Sequence, residues 1–146
     1  MKWGGGKIIL GKKICAKDNC AFEVYGDGKI KIGDNCFFNY NCIVACHDYI
    51  EIGDNTSFGP GCVVYDHDHD FRAFGGKKSK HYITSPIVIG KNVWIGANCT
   101  ILKGTIIGDN SVIAAGTVLT KAVPENTIVY QEKRNILKAY KPNLGE

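Results

Sequence analysis

IGKNVW-IGANCT-ILKGTI-IGDNSV-IAAGTV-LT, residues 89–120, places an aliphatic side chain at every sixth position: Ile89, Ile95, Ile101, Ile107, Ile113 and Leu119. Four positions after each of the first five stands a small or short branched residue: Val93, Cys99, Thr105, Ser111 and Thr117. The same rhythm runs through the earlier chain. Ile32, Phe38 and Val44 form one run and Ile52, Phe58 and Val64 another, with Cys36, Cys42, Thr56 and Cys62 in the small slot. Cys20 follows Ala16 in the same way. The tetrapeptide Ile-Gly-Asp-Asn occurs three times, from Ile32, Ile52 and Ile107. A period of six fits neither an α-helix nor an alternating hairpin sheet. It fits a solenoid of short flat strands, three to a triangular coil, with successive coils roughly 4.8 Å apart. The anchor and the small residue both point inward. Gly and Asn are read as the corner residues that accept positive φ, and Asp as a partner for nearby backbone N–H groups. One repeat cannot bury its own anchor, so the coils are stable only as a stack.

The 146 residues are read as one domain, residues 1–146. Two interruptions break the rhythm: a short slip around residues 45–49 and a long insertion at about 66–86. Such a long loop in a compact domain points to function or disorder. Residues 131–146 are read as a C-terminal tail or short helix. No apolar stretch has the length of a membrane span, and Met1-Lys2-Trp3-Gly4-Gly5-Gly6 lacks the apolar core of a secretory signal. A cytoplasmic location is therefore expected. The net charge of +4 is too mild to argue for nucleic acid and suits a small anionic ligand. Seven cysteines, an odd number with no CxxC pair, argue against a disulfide framework and a zinc site. Five of them (Cys20, Cys36, Cys42, Cys62, Cys99) hold the small inward slot and read as small buried hydrophobes. Cys15 and Cys46 fall outside it.

Over residues 7–130 the pattern resembles the hexapeptide-repeat acyltransferases. That resemblance implies an all-β fold, a single left-handed parallel β-helix with one protruding loop. Handedness comes from the resemblance, since ordinary parallel crossovers are right-handed. The resemblance further implies a homotrimer with its sites between subunits, acetyl-CoA as co-substrate and no metal.

It also implies roles for particular residues. The insertion opens Tyr65-Asp66-His67-Asp68-His69-Asp70-Phe71, and the family places its general base in this loop. Counted from Gly59-Pro60-Gly61 without gaps, His69 takes that position, with His67 as the reserve. Histidine suits the task, because a sugar hydroxyl is a weak nucleophile and a neutral imidazole accepts its proton during attack on the thioester. Backbone N–H groups at a coil edge would meet the oxyanion. Asn39 matches an acceptor-side asparagine of the family; an asparagine ladder within the corners is the competing reading. His47 and Asp48 match the acceptor side, against a plain surface turn. Trp94 points outward beside inward Val93 and is expected to border both the acceptor pocket and the CoA channel, or to make a subunit contact. Gly96, Ala97, Ala115, Gly116 and Thr120 resemble the smooth track for the pantetheine arm, and Lys121 would meet the pyrophosphate. Where many relatives read Gly-Asn-Pro-Ala-Lys, this chain has Tyr130-Gln131-Glu132-Lys133-Arg134-Asn135. Lys133 or Arg134 would hold the 3′-phosphate.

The reading is thus an O-acetyltransferase acting on a sugar or surface-polysaccharide hydroxyl by direct transfer in a ternary complex. No cysteine stands beside a histidine as a nucleophile would. The alternatives are an N-acetyltransferase of a nucleotide-linked amino sugar, a non-catalytic docking scaffold, and a metal enzyme like the γ-class carbonic anhydrases. That last class carries further histidines where this chain has Ile95-Gly96-Ala97-Asn98-Cys99-Thr100-Ile101.

Overall fold

The structure is a computed structural model. It describes residues 5–139 apart from 133 and 136, and of Ser79 the backbone alone. The chain winds through five coils of three strands. The first coil is β1 (Lys7–Leu10), β2 (Cys15–Ala16) and β3 (Ala21–Val24); the second is β4 (Lys29–Ile32), β5 (Phe37–Phe38) and β6 (Ile43–Cys46). The third is β7 (Tyr49–Ile52), β8 (Ser57–Phe58) and β9 (Val63–Tyr65), followed by a hairpin of β10 (His67–His69) and β11 (Tyr82–Thr84). The fourth is β12 (Ile87–Ile89), β13 (Trp94–Ile95) and β14 (Thr100–Leu102); the fifth is β15 (Ile106–Ile107), β16 (Val112–Ile113) and β17 (Val118–Leu119), with β18 (Ile128–Val129) above it. Strands of equal rank stack in parallel, giving three faces: β1-β4-β7-β12-β15, β2-β5-β8-β13-β16-β18 and β3-β6-β9-β14-β17.

The register reports how many residues each coil uses. Trp94 pairs with Val112, 18 positions on, which is three hexapeptides. Lys7 pairs with Lys29 and Lys29 with Tyr49, so the early coils carry a few extra residues. Ile50 pairs with Ile87, and the surplus is the protruding segment. The stack takes up that segment without a break, because Tyr65 still pairs with Leu102 above it.

The prism is filled by the anchors. Ile30, Ile32, Ile50, Ile52, Ile87 and Ile89 line the first face, Phe38, Phe58, Ile95 and Ile113 the second, and Val44, Val64, Ile101 and Leu119 the third, all buried. Phe38 and Phe58 stack face to face at 4.8 Å, and Phe22 meets Phe38 edge-on at 4.9 Å.

The corners correct one expectation. Asn, not Gly, takes the left-handed conformation in the Ile-Gly-Asp-Asn element: Asn35, Asn55 and Asn110 have φ of 55°, 59° and 59°. The glycine serves close approach instead. A Cβ on Gly33 would lie 2.3 Å from Asp54 Oδ1 and 2.7 Å from Asp54 N. The aspartate acts as expected, with Asp54 Oδ1 accepting the Asp34 N–H at 2.8 Å and Asp109 Oδ1 the Lys91 N–H at 2.8 Å. An asparagine ladder also exists, but on the exposed corner between the first and second faces, through Asn35–Asn55 and Asn92–Asn110–Asn126.

The small slot has a polar function beyond its size. Cys36, Cys42, Cys62 and Cys99 each donate to a carbonyl of the coil above, on Gly53, Gly59, Gly96 and Ala114 at 3.0–3.3 Å. Thr56 donates to Gly90 O at 2.8 Å and Ser111 to Pro124 O at 2.8 Å. A donor on a short stem satisfies a carbonyl that the turn leaves without a strand partner. None of the seven cysteines is joined in a disulfide; Cys15 lies exposed on β2, and Cys46 is buried on β6. The described residues between 131 and 139 form no helix. Among the described residues no helix is long and apolar enough to cross a membrane.

Candidate active site

The third-face strands run on past their anchors, and this builds the site. Val24, Cys46 and Asp66 stand two residues after Phe22, Val44 and Val64, so strand alternation turns them inward in one column. Cys46 and Asp66 are fully buried. The Cys46 thiol donates to Asp66 Oδ2 at 3.3 Å. Burial and the Asp66 charge push that thiol up to about 12, which keeps the proton on sulfur. Cys46 thus has the structural place that the six-residue period did not give it.

Asp66 is the member of this candidate site that repeat counting missed. The signal was the alternation Val64-Tyr65-Asp66, which continues the strand by one inward position. Asp66 Oδ1 accepts the His47 N–H at 2.8 Å and Oδ2 the Asp48 N–H at 2.7 Å. His67 Nδ1 lies 3.0 Å from Oδ1. Desolvation raises this carboxyl, but the His47 and Asp48 amides, then His67 and Cys46, outweigh it and hold the group below the usual carboxylate range.

Around this carboxylate the corner between the third and first faces gathers rings from two coils and the hairpin. His47 stacks on Tyr25 at 4.7 Å and lies 4.1 Å from His67 and 4.0 Å from Tyr82. His69, exposed on β10, lies 4.9 Å from Tyr82 and pairs with it across the hairpin. The neck of the insertion is closed by Ser85 N–H donating to Asp66 O at 2.9 Å. On the outer side Lys103 pairs with Asp68 at 2.7 Å and ties the hairpin to the fourth coil. His47, Asp48, His67 and His69 are therefore one constellation.

Burial, and after it the neighbouring His67, lower the pKa of His47 below 6.5, while Asp66 works against them. A depressed imidazole contributes stability that is present above the unfolded value and lost as pH falls through the folded one. The melting temperature is expected to fall below about pH 6.5, and His47→Asn should flatten that decline in thermal scans between pH 7.5 and 5. An equal decline in the variant would refute the assignment.

The other expected residues stand elsewhere. Asn39, Gly96, Ala97, Ala115 and Gly116 lie along the corner between the second and third faces, and Trp94, 60% exposed, points out from the second face beside them. Asn39 Oδ1 accepts the Tyr40 N–H at 2.9 Å and takes no part in the asparagine ladder. Within one chain the width of the third face separates this corner from the histidines. Thr120 and Lys121 lie on the histidine side, two coils above the cluster, in an open depression also lined by Leu119, Val123, Thr127 and Gln131. The Gln131 amide bonds to Val118 N and O at 3.0 Å each and covers the free edge of β17. Arg134 is exposed; Lys133 lies outside the described residues. Among the described residues no three His, Cys, Asp or Glu side chains are arranged to hold a metal ion.

This fold has counterparts among known proteins. A family model described as hexapeptide repeat of succinyl-transferase matches residues 86–121. The galactoside O-acetyltransferase of Escherichia coli (strain K12) is 38% identical over 124 residues, 85% of this chain and 50% of that protein. The chain spans about half the length of the curated relatives it matches. Among solved structures, the hexapeptide-repeat-containing acetyltransferase of Vibrio cholerae O1 biovar eltor, complexed with acetyl coenzyme A, superposes with a TM-score of 0.73. It is 33% identical, and the match covers 97% of this chain and 74% of that one. A maltose O-acetyltransferase from Clostridium difficile 630 gives a TM-score of 0.70 at 39% identity, covering 82% of this chain and 63% of that one. With its parallel three-faced stack, its inward slot and the hairpin leaving the third coil, the chain belongs to the left-handed β-helix, hexapeptide-repeat acetyltransferase family.

Proposed function

We propose that the chain is a cytoplasmic acetyl-CoA-dependent O-acetyltransferase acting on a hydroxyl of a sugar or surface-polysaccharide precursor. The observation that carries this reading is the gathering of three imidazoles at the root of the protruding hairpin. His69 is the general base. It takes the proton of the acceptor hydroxyl as the oxygen attacks the thioester carbonyl. The tetrahedral oxyanion collapses, the C–S bond breaks, and the imidazolium returns the proton to the departing CoA thiolate. The transfer is direct, and His47 and Asp48 hold the acceptor.

The pantetheine arm needs a smooth edge with backbone groups within reach. Ala97 and Ala115 stack at equivalent positions of successive coils, beside Gly96 and Gly116. Trp94 flanks that edge. Because this edge and the histidine corner lie apart in one chain, the reading places each site between two subunits of a homotrimer. The exposed Trp94, Ile106, Val118 and Ile128 give the faces a reason to associate. Lys121 and Arg134 would reach the phosphates.

The test is an acceptor screen that follows thiol release from acetyl-CoA, with calorimetry of CoA binding. Thiol release with sugars bearing free hydroxyls, together with saturable CoA binding, is the expected result. Release with amino sugars alone would replace O- by N-acylation, and no CoA binding would make the chain a scaffold.

A further inference from the structure

The column that carries Asp66 holds Val24 and Cys46 in the coils below. An apolar side chain would fill that place with no desolvation cost, and a buried carboxylate is a poor way to gain stability. Asp66 is nevertheless charged, fully buried and surrounded by donors: two backbone N–H groups, one imidazole and one thiol. Its oxygens therefore hold something in place. The two backbone donors belong to His47 and Asp48, so the carboxylate shapes the acceptor corner of the second coil. The imidazole belongs to the first residue of β10, the strand that carries His69 two positions on.

We propose that Asp66 is a positioning residue of the histidine site, fixing the ring of His67 and the backbone of His47 and Asp48 so that the imidazoles face the acceptor in one arrangement. An ionised carboxylate only accepts, so the proton between it and His67 sits on Nδ1. Nε2, the ring's other nitrogen, is then the one that can accept a hydrogen bond. His67 thus accepts a hydrogen bond from a second acceptor hydroxyl, while His69 is left as the base. This assignment rests on the acetyltransferase reading only for its consequence in turnover; the geometry stands apart from it.

Two measurements test it. In the wild-type protein, nitrogen-15 NMR of the histidine side chains at pH 8 should show His67 as the Nδ1–H tautomer. The Nε2–H tautomer would overturn the proposal, and this result is independent of any activity and of whether a variant folds. For turnover, Asp66→Asn keeps the shape but sets an amide NH₂ against N–H donors. It should lower kcat about 10- to 100-fold, the scale of a misplaced catalytic geometry. The KM for acetyl-CoA should stay within about twofold, because the pantetheine edge lies on another corner. In a His67→Ala background the same substitution should cost less than half as much on a logarithmic scale, since one route of its action is already gone. Equal losses in both backgrounds, or a lowered melting temperature with kcat intact, would reduce Asp66 to a structural residue and overturn the proposal. Absence of acetyl transfer to every acceptor would sink the function while the tautomer still decides Asp66.

Discussion

His69→Ala should lower kcat for thiol release by about 10²- to 10⁴-fold, the usual worth of a general base. His69 is exposed on β10 and has no place among the buried anchors, so its removal leaves the stack intact. Calorimetric binding of CoA and the melting temperature should both stay at their wild-type values. Only this combination identifies a base: loss of turnover together with loss of CoA binding or of melting temperature would mean a structural fault. The reserve candidate is separated by the same assay. His67→Ala should leave a weakened but measurable enzyme if, as proposed, His67 orients the acceptor and His69 transfers the proton. Full turnover in His69→Ala beside an inactive His67→Ala would exchange the two roles.

Phe58→Ala should cost about 3–5 kcal/mol in denaturant unfolding, the range for emptying a large aromatic from a core. Phe58 is 2% exposed and stacks on Phe38 in the coil below. A globular core shrinks around such a gap. Here the gap lies inside a prism whose walls are held at strand spacing by hydrogen bonds on all three faces, so the site cannot close. The loss also cuts the stack between the second and fourth coils, where each coil is stabilised by its nearest neighbours. A loss under about 1 kcal/mol would mean that the interior relaxes more than the hydrogen-bonded walls imply.

The residues that could be read in advance are those repeated from coil to coil. Ile95, Ile101 and Ile107 are copies of one another, and their burial follows from period alone. The small slot followed in the same way, although its hydrogen bonds to the coil above need three-dimensional neighbours to be seen. Asp66 and Cys46 were hidden because they exist only where the coils depart from 18 residues and the third-face strand runs long. Period-six counting assigns those positions to a loop; period-two alternation assigns them to the core, and the structure follows the second. The histidine pair was legible as candidate chemistry, and the resemblance set His47 on the acceptor side. The ring contact between His47 and His67 was not legible, since residues 47 and 67 meet only through the 20-residue register of Ile43 with Val63. The role of glycine in the repeated tetrapeptide was misassigned for a related reason. A clash with the next coil leaves no trace in local sequence, whereas positive φ does.

The neck of the insertion has a practical meaning. Ser85 N–H and Asp66 O close it as a single backbone hydrogen bond, and the rungs above and below keep their pairing regardless of what lies between. A segment of different length or composition can be exchanged beyond that clasp with the coils kept in register, provided its ends return to the same two atoms, at the cost of the Lys103–Asp68 pair and of the His67 and Tyr82 contacts that anchor the present hairpin. A designer could graft a foreign hairpin onto this corner while the coils above and below keep their register.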